Sequence, residues 1–194
     1  MPSMSYHTWA SSRAIALDEI GAAHAAVGGS ARGRRYATQQ INRAYAVLLA
    51  SHFQGFCRDL HSECVDYIVS NLVPASLRPI VQAELTLNRQ LDSKNAQPGS
   101  IGSDFGRLGI TFWPLVKTLK PANATRKTTL DLINVWRNGI VHQNLVAAKL
   151  GGTTTLRLAT VKRWRRDCGH LAESFDAIMR GYIHSLTGSY PWVK

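Results

Sequence analysis

Ala44-Tyr-Ala-Val-Leu-Leu-Ala-Ser-His-Phe-Gln-Gly-Phe-Cys-Arg-Asp-Leu60 is the stretch that decides the fold. It lies inside a longer segment, from about Arg34 to Leu72, where Ile41, Tyr45, Leu48, His52, Phe56, Leu60, Cys64, Tyr67 and Ile68 recur at spacings of three and four. Such spacing repeats one face of a 3.6-residue helix over many turns, and Pro74 ends it. A single helix of this length, apolar along one side, needs other helices to cover it.

The flanking sequence supplies them. Trp9 to Ala26 reads as an Ala-rich helix closed by Gly28-Gly29, and Ser76 to about Leu91 as a shorter one. Asp92 to Ser103 is rich in Pro, Gly, Ser and Asn and reads as a loop, followed by an interrupted helix around Asp104–Leu119. The next helix is expected to start at Thr128 or Thr129, either of which can cap it, and to run to about Lys149. Thr153–Thr160 is β-branched and could form a small β excursion. After Thr160, Trp164, Cys168, Leu171, Phe175, Ile178 or Met179, and Tyr182 define the core side of a last helix. The expectation is an all-α helical bundle in a single domain over residues 1–194, with its core at about 9–187 and loose termini.

Composition agrees with an ordinary globular chain of 194 residues, 45% hydrophobic, with a mean hydropathy of −0.12. It excludes a disordered tail, a collagen-like repeat and a disulfide-stapled miniprotein. No run of apolar residues is long enough for a transmembrane helix, and Met1 to Ser12 lacks the pattern of a signal peptide. Three cysteines without CxxC spacing point to a reduced, cytoplasmic setting.

The charge is less ordinary. The net charge is +11, and all of the excess sits between Phe105 and Arg166, where 12 basic residues face a single acid, Asp131. A segregated basic segment favours a polyanionic partner. Lys162, Arg163, Arg165 and Arg166 stand at the start of the last helix, where the dipole disfavours cations, so a compensating partner such as an RNA or DNA phosphate is expected there. Arg126 and Lys127 are further candidates for nucleic-acid contact, and Arg32, Arg34 and Arg35 form a smaller cluster. Trp164 fits the core stripe better than a base-stacking role.

Within the basic segment, Arg137-Asn138-Gly-Ile-Val-His142 gathers a permanently charged guanidinium, an amide and a titratable imidazole. Asn138 and His142 are four apart and share one helix face; Arg137 is one residue away and long enough to swing toward it. The alternative for these residues is structural: a satisfied histidine beside apolar neighbours, with Arg137 paired to Asp131 or another acid. Cys57, His61 and Cys64, at i, i+4 and i+7, could in principle ligate zinc, but buried cysteines on a core stripe are the ordinary explanation. His52 could face either a cleft or the core. No phosphate-binding glycine loop, nucleophile elbow or hydrolase carboxylate pair is present. No metal or cofactor is expected.

Arg137-Asn138-x-x-x-His142 resembles the Arg-x4–6-His motif of HEPN domains, and the Ala44–Leu60 stretch resembles the early helix of their stand-alone RiboL-PSP branch. The resemblance spans about Arg34 to Leu186. It implies a helical bundle that dimerises with two Arg–His motifs in one cleft. It further implies metal-independent endoribonuclease activity, in which a ribose 2′-OH attacks the adjacent phosphate. His142 would then be the general acid or base, Arg137 would stabilise the phosphorane, and Asn138 would orient His142 or hold a phosphate oxygen. A toxin, antiviral-defence or stress-response role, with an antitoxin or defence-system protein as a partner, belongs to the same implication. The competing expectation is a HEPN-like module that binds RNA, or acts as a scaffold, without cutting. Membrane-surface binding ranks last, because the last helix carries its charges only at its start.

Overall fold

The computed structural model describes residues 1–28 and 35–192. The chain is an all-α bundle, and no strand occurs among the described residues. Its helices are α1 (Met4–Thr8), α2 (Ala14–Gly28), α3 (Arg35–Leu72), α4 (Arg78–Thr86), α5 (Gln90–Ser93), α6 (Pro98–Gly106), α7 (Phe112–Leu119), α8 (Asn123–Val141) and α9 (Leu158–Thr187). Among the described residues no helix is long and apolar enough to cross a membrane.

The 38-residue α3 runs through the centre and packs against α1, α2, α4, α8 and α9. Its buried face includes Tyr45, Phe56, Leu60 and Cys64 of the expected line and extends beside them to Leu49, Phe53, Cys57, His61 and Val65. Leu48 packs at the edge of the core, and His52 is half-buried there. The face is wider than one seam because partners lie on both flanks of α3.

Aromatic side chains join the layers. Phe53 and Phe56 of α3 meet Trp9, and Phe175 of α9 meets Phe53, Phe105, Phe112 and Trp113 with ring centroids 4.8–6.4 Å apart. Phe105 and Phe112 stack at 4.4 Å. Each buried ring contributes on the order of 1.5–3 kcal/mol through removal from water, and edge-to-face pairs add to this. On α9 the core side chains are Val161, Trp164, Cys168, Leu171, Phe175, Met179 and Ile183, so Met179 rather than Ile178 continues the stripe.

Several boundaries differ from expectation. The β-branched run forms no excursion: residues 151–157 are turn and loop, and α9 already starts at Leu158. A lone extended segment has no ladder partner here. Leu156 is instead buried, and its carbonyl accepts a hydrogen bond from Asn42 Nδ2 at 2.8 Å. Helix α8 starts at Asn123, five residues before Thr128, because the buried Asn123 amide donates to Val116 O and Ser174 Oγ and fixes the chain there. The expected loop at 92–103 holds the start of α6, with Pro98 in the first turn, where its missing N–H costs nothing. Gly109, at φ +82°, separates α6 from α7.

The described ends of the chain are tied to the bundle by hydrogen bonds. The Glu63 carboxylate caps α1 by accepting from the backbone N–H groups of Met4 (2.8 Å) and Ser5 (2.9 Å), and Asp176 accepts from the Ser3 backbone and hydroxyl. The Met1 ammonium donates to Trp192 O at 2.9 Å, and Trp192 packs on the core. Between α1 and α2 a π-helical turn, Trp9–Arg13, turns Arg13 toward α3, where it pairs with Asp59 at 2.5 Å and donates to His52 O.

His61 is fully buried at the middle of α3. Its Nε2–H donates to Asp104 O at 3.0 Å, while Nδ1 lies 3.3 Å from Arg89 Nη1. A guanidinium can only donate, so Nδ1 is the acceptor and the ring is neutral. Burial and the adjacent Arg89 charge lower the His61 pKa to about 4. An unfolded imidazole takes up its proton near pH 6.5, whereas the native one resists it, so the unfolded state binds more protons between these values. The stabilisation is full above about pH 6.5 and is progressively lost as pH falls toward 4. Urea midpoints at pH 7 and pH 4.5 should therefore show wild type losing roughly 2–3 kcal/mol more than His61→Gln. Equal losses in the two proteins contradict this.

Candidate functional site

The sequence motif lies at the C-terminal end of α8, and the way this helix stops decides where His142 goes. Helix α8 ends at Val141 rather than near Lys149, and His142 is its C-cap. Gln143 takes φ +53°, its N–H donates to Ile140 O at 3.2 Å, and Asn144 N–H donates to Gly139 O at 2.8 Å. These paired bonds make a Schellman turn with glutamine where glycine is usual. The returning chain passes close to Gly139: a Cβ there would lie 3.1 Å from both Asn144 O and Leu145 Cδ2. The turn carries the chain back beside α8 and leaves His142 exposed at its rim.

A cavity of about 220 Å³ opens at this turn. Val135, Asn138, Gly139, His142, Asn144, Val146, Lys149 and Leu150 line it, and no acid is among them. Asn138 and His142 therefore share one recess, as their four-residue spacing predicts. Arg137 does not line it. Its Nη1 donates to Asn138 Oδ1 at 3.2 Å, and it makes no ion pair with Asp131 or any other acid among the described residues. The guanidinium reaches the recess through Asn138. Among the described residues the His142 ring has no hydrogen-bond partner that would fix its tautomer.

Sequence reasoning missed two members of this neighbourhood. Lys149 stands past the turn, in the 3₁₀ segment Ala147–Lys149, and lines the recess. Asn95 comes from the segment between α5 and α6 and donates from Nδ2 to Asn138 Oδ1 at 2.6 Å. The available signal was the Asn134-x-x-x-Asn138 spacing, two amides on one face of α8: Asn134 Nδ2 bonds Ala96 O at 3.0 Å, one residue from Asn95.

The predicted nucleic-acid contacts separate into two groups. Trp136 and Trp164 meet with ring centroids 6.2 Å apart, so the end of α8 and the first turns of α9 lie at the same end of the bundle. Lys162, Arg163 and Arg166 are exposed there. Arg165 is occupied: it pairs with Asp18 of α2 at 2.5 Å, reaches Tyr45 Oη at 3.2 Å and donates to Ala14 O. This guanidinium holds the Asp18 carboxyl below the usual carboxylate range. A carboxylate from α2 thus compensates part of the basic α9 start. Arg126 and Lys127 lie at the other end of α8, about 24 Å from His142 along the axis. Arg126 donates to Asn123 Oδ1 at 2.8 Å, and the Lys127 ammonium sits 5.3 Å from the Trp113 ring centroid. Of the smaller cluster, Arg32 and Arg34 lie outside the described residues.

Cys57, Cys64 and Cys168 are buried, and burial pushes their thiols up. Among the described residues no group of three or more His, Cys, Asp or Glu side chains could hold a metal ion. No family model, curated protein or solved structure matches the chain.

The Schellman turn supplies its own test. A non-glycine residue in the left-handed region costs about 1 kcal/mol, so Gln143→Gly should raise the unfolding free energy by roughly that amount in urea titrations. A Gln143→Gly protein no more stable than wild type would contradict the assignment.

Proposed function

We propose that the protein is an endoribonuclease that cleaves RNA by intramolecular transesterification. The ribose 2′-OH attacks the neighbouring phosphorus, and a P–O2′ bond forms as the P–O5′ bond breaks. The products are a 2′,3′-cyclic phosphate and a 5′-OH. One proton leaves the 2′-OH and one reaches O5′; His142 carries one of these transfers. An imidazole suits either transfer, since its ordinary titration range lies near neutrality.

The observation that carries this reading is the recess itself, where Asn138 and His142 face a space lined by Lys149 and free of acids. An anionic phosphate entering it meets an imidazole, amide donors and an ammonium, and no carboxylate repels it. Arg137, bonded to Asn138 and unpaired with acids among the described residues, would add fixed positive charge beside the position where the phosphorane would gain its extra negative charge. Lys162, Arg163 and Arg166, at the same end of the bundle, would draw the RNA backbone in. The resemblance of Arg137-Asn138-x-x-x-His142 to the HEPN motif adds a chemical precedent without a metal. It also adds a homodimer that would bring a second motif to the cleft, with an antitoxin or defence-system protein as a further partner.

One observation favours a second reading. The His142 ring is exposed and, among the described residues, lacks an orienting partner, which also suits a module that binds RNA without cutting it. The two readings separate on RNA incubated with purified protein in EDTA. Wild type should cleave, and His142→Ala or Arg137→Ala should reduce the rate by about 10²–10⁴-fold with helicity retained. Salt-sensitive RNA binding without cleavage, equal in wild type and His142→Ala, would leave only the binding module.

A further inference from the structure

The hydrogen bonds around Asn138 determine which end of its amide faces the recess. Arg137 Nη1 can only donate, so the Asn138 atom 3.2 Å away is the carbonyl oxygen, Oδ1. The Asn95 atom 2.6 Å from that oxygen must then be its own amide nitrogen. Two donors fill the two lone pairs of Asn138 Oδ1. Asn138 Nδ2 has no acceptor among the described residues, and Asn138 lines the recess that His142 shares. The amide thus offers donors to an incoming ligand and turns its acceptor away.

We infer that Asn95 is a positioning residue: it locks the Asn138 side chain so that Nδ2 donates to a non-bridging phosphate oxygen of the bound nucleic acid. This deepens the ribonuclease reading and rests on it for the rate effects below. Arg137 alone would leave Asn138 one bond from a long, mobile side chain. Asn95 adds a shorter bond from a segment that is held independently. Gln54 Nε2 donates to Leu91 O and Lys94 O, Asn134 Nδ2 donates to Ala96 O, and the buried Asp104 carboxylate accepts from Gln90 N and Leu91 N. Leu91 and Ala96 are buried on either side of Asn95. None of these anchors uses the Asn95 side chain, so its replacement leaves the segment in place.

The test compares Asn95→Ala with Asn95→Asp. The alanine removes a donor and lets the Asn138 amide rotate. The aspartate puts a carboxylate beside Oδ1, which favours the flipped amide with Nδ2 toward residue 95 and its oxygen toward the phosphate. On RNA, kcat should fall about tenfold in Asn95→Ala and further in Asn95→Asp, with both proteins folded and melting within about 5 °C of wild type. A role in packing alone predicts wild-type rates, or equal losses in both variants, and either result overturns the inference.

Inorganic phosphate titrated into 15N-labelled protein gives a readout that needs no cleavage. It should shift the Asn138 side-chain amide resonances in wild type and leave them nearly unmoved in Asn95→Asp. The same shift in both proteins, or none in wild type, also overturns the inference. Failure of the ribonuclease reading shows itself differently, as wild type that leaves RNA intact while the phosphate shift and its loss in Asn95→Asp persist.

Discussion

Burial of α3 is the constraint on which the rest of the structure depends. A 38-residue helix with fully buried side chains from Tyr45 to Cys64 cannot exist without cover, and α1, α2, α4, α8 and α9 supply it. Polar groups on this stripe must then be satisfied inside the protein. His61 is the clearest case, held between the carbonyl of Asp104 and the guanidinium of Arg89. Those two residues belong to the α5–α6 region, whose Asp104 carboxylate caps the start of α5. The central helix therefore orders the segment that delivers Asn95 to Asn138.

The recess is consequently a composite. The end of α8 provides Asn138 and His142, the Schellman turn brings back Asn144 and Lys149, and the segment after α5 provides Asn95. Its electrostatics differ from the impression left by the net charge of +11. Arg165 and Lys120, both inside the basic stretch, are matched by Asp18 and Glu173 from outside it. What is specific to the recess is local: its lining holds no acid, and Arg137 beside it is unpaired with any among the described residues.

Much of this was legible in the sequence. Apolar spacing located α3 within one residue at its start and at its true end, and it identified Trp164 as a core residue. The shared face of Asn138 and His142 followed from helical geometry. The end of α8 did not, since the Schellman turn uses Gln143 in place of the glycine that would have marked it. Thr153–Thr160 carried strand propensity, but propensity is expressed only when a partner strand exists. Asn95 was hidden because its role depends on a contact across 43 residues, between a loop and a helix that no local pattern connects. The pairing of Arg165 with Asp18 spans 147 residues and was hidden for the same reason.

Transesterification of RNA in the recess beside His142 remains the proposal on which the rest turns. End-group analysis of RNA after incubation with the protein in EDTA decides it. Wild type should leave 2′,3′-cyclic phosphate and 5′-OH termini, and His142→Ala none. Intact RNA with wild type, or the same termini in the same yield from His142→Ala, would contradict it.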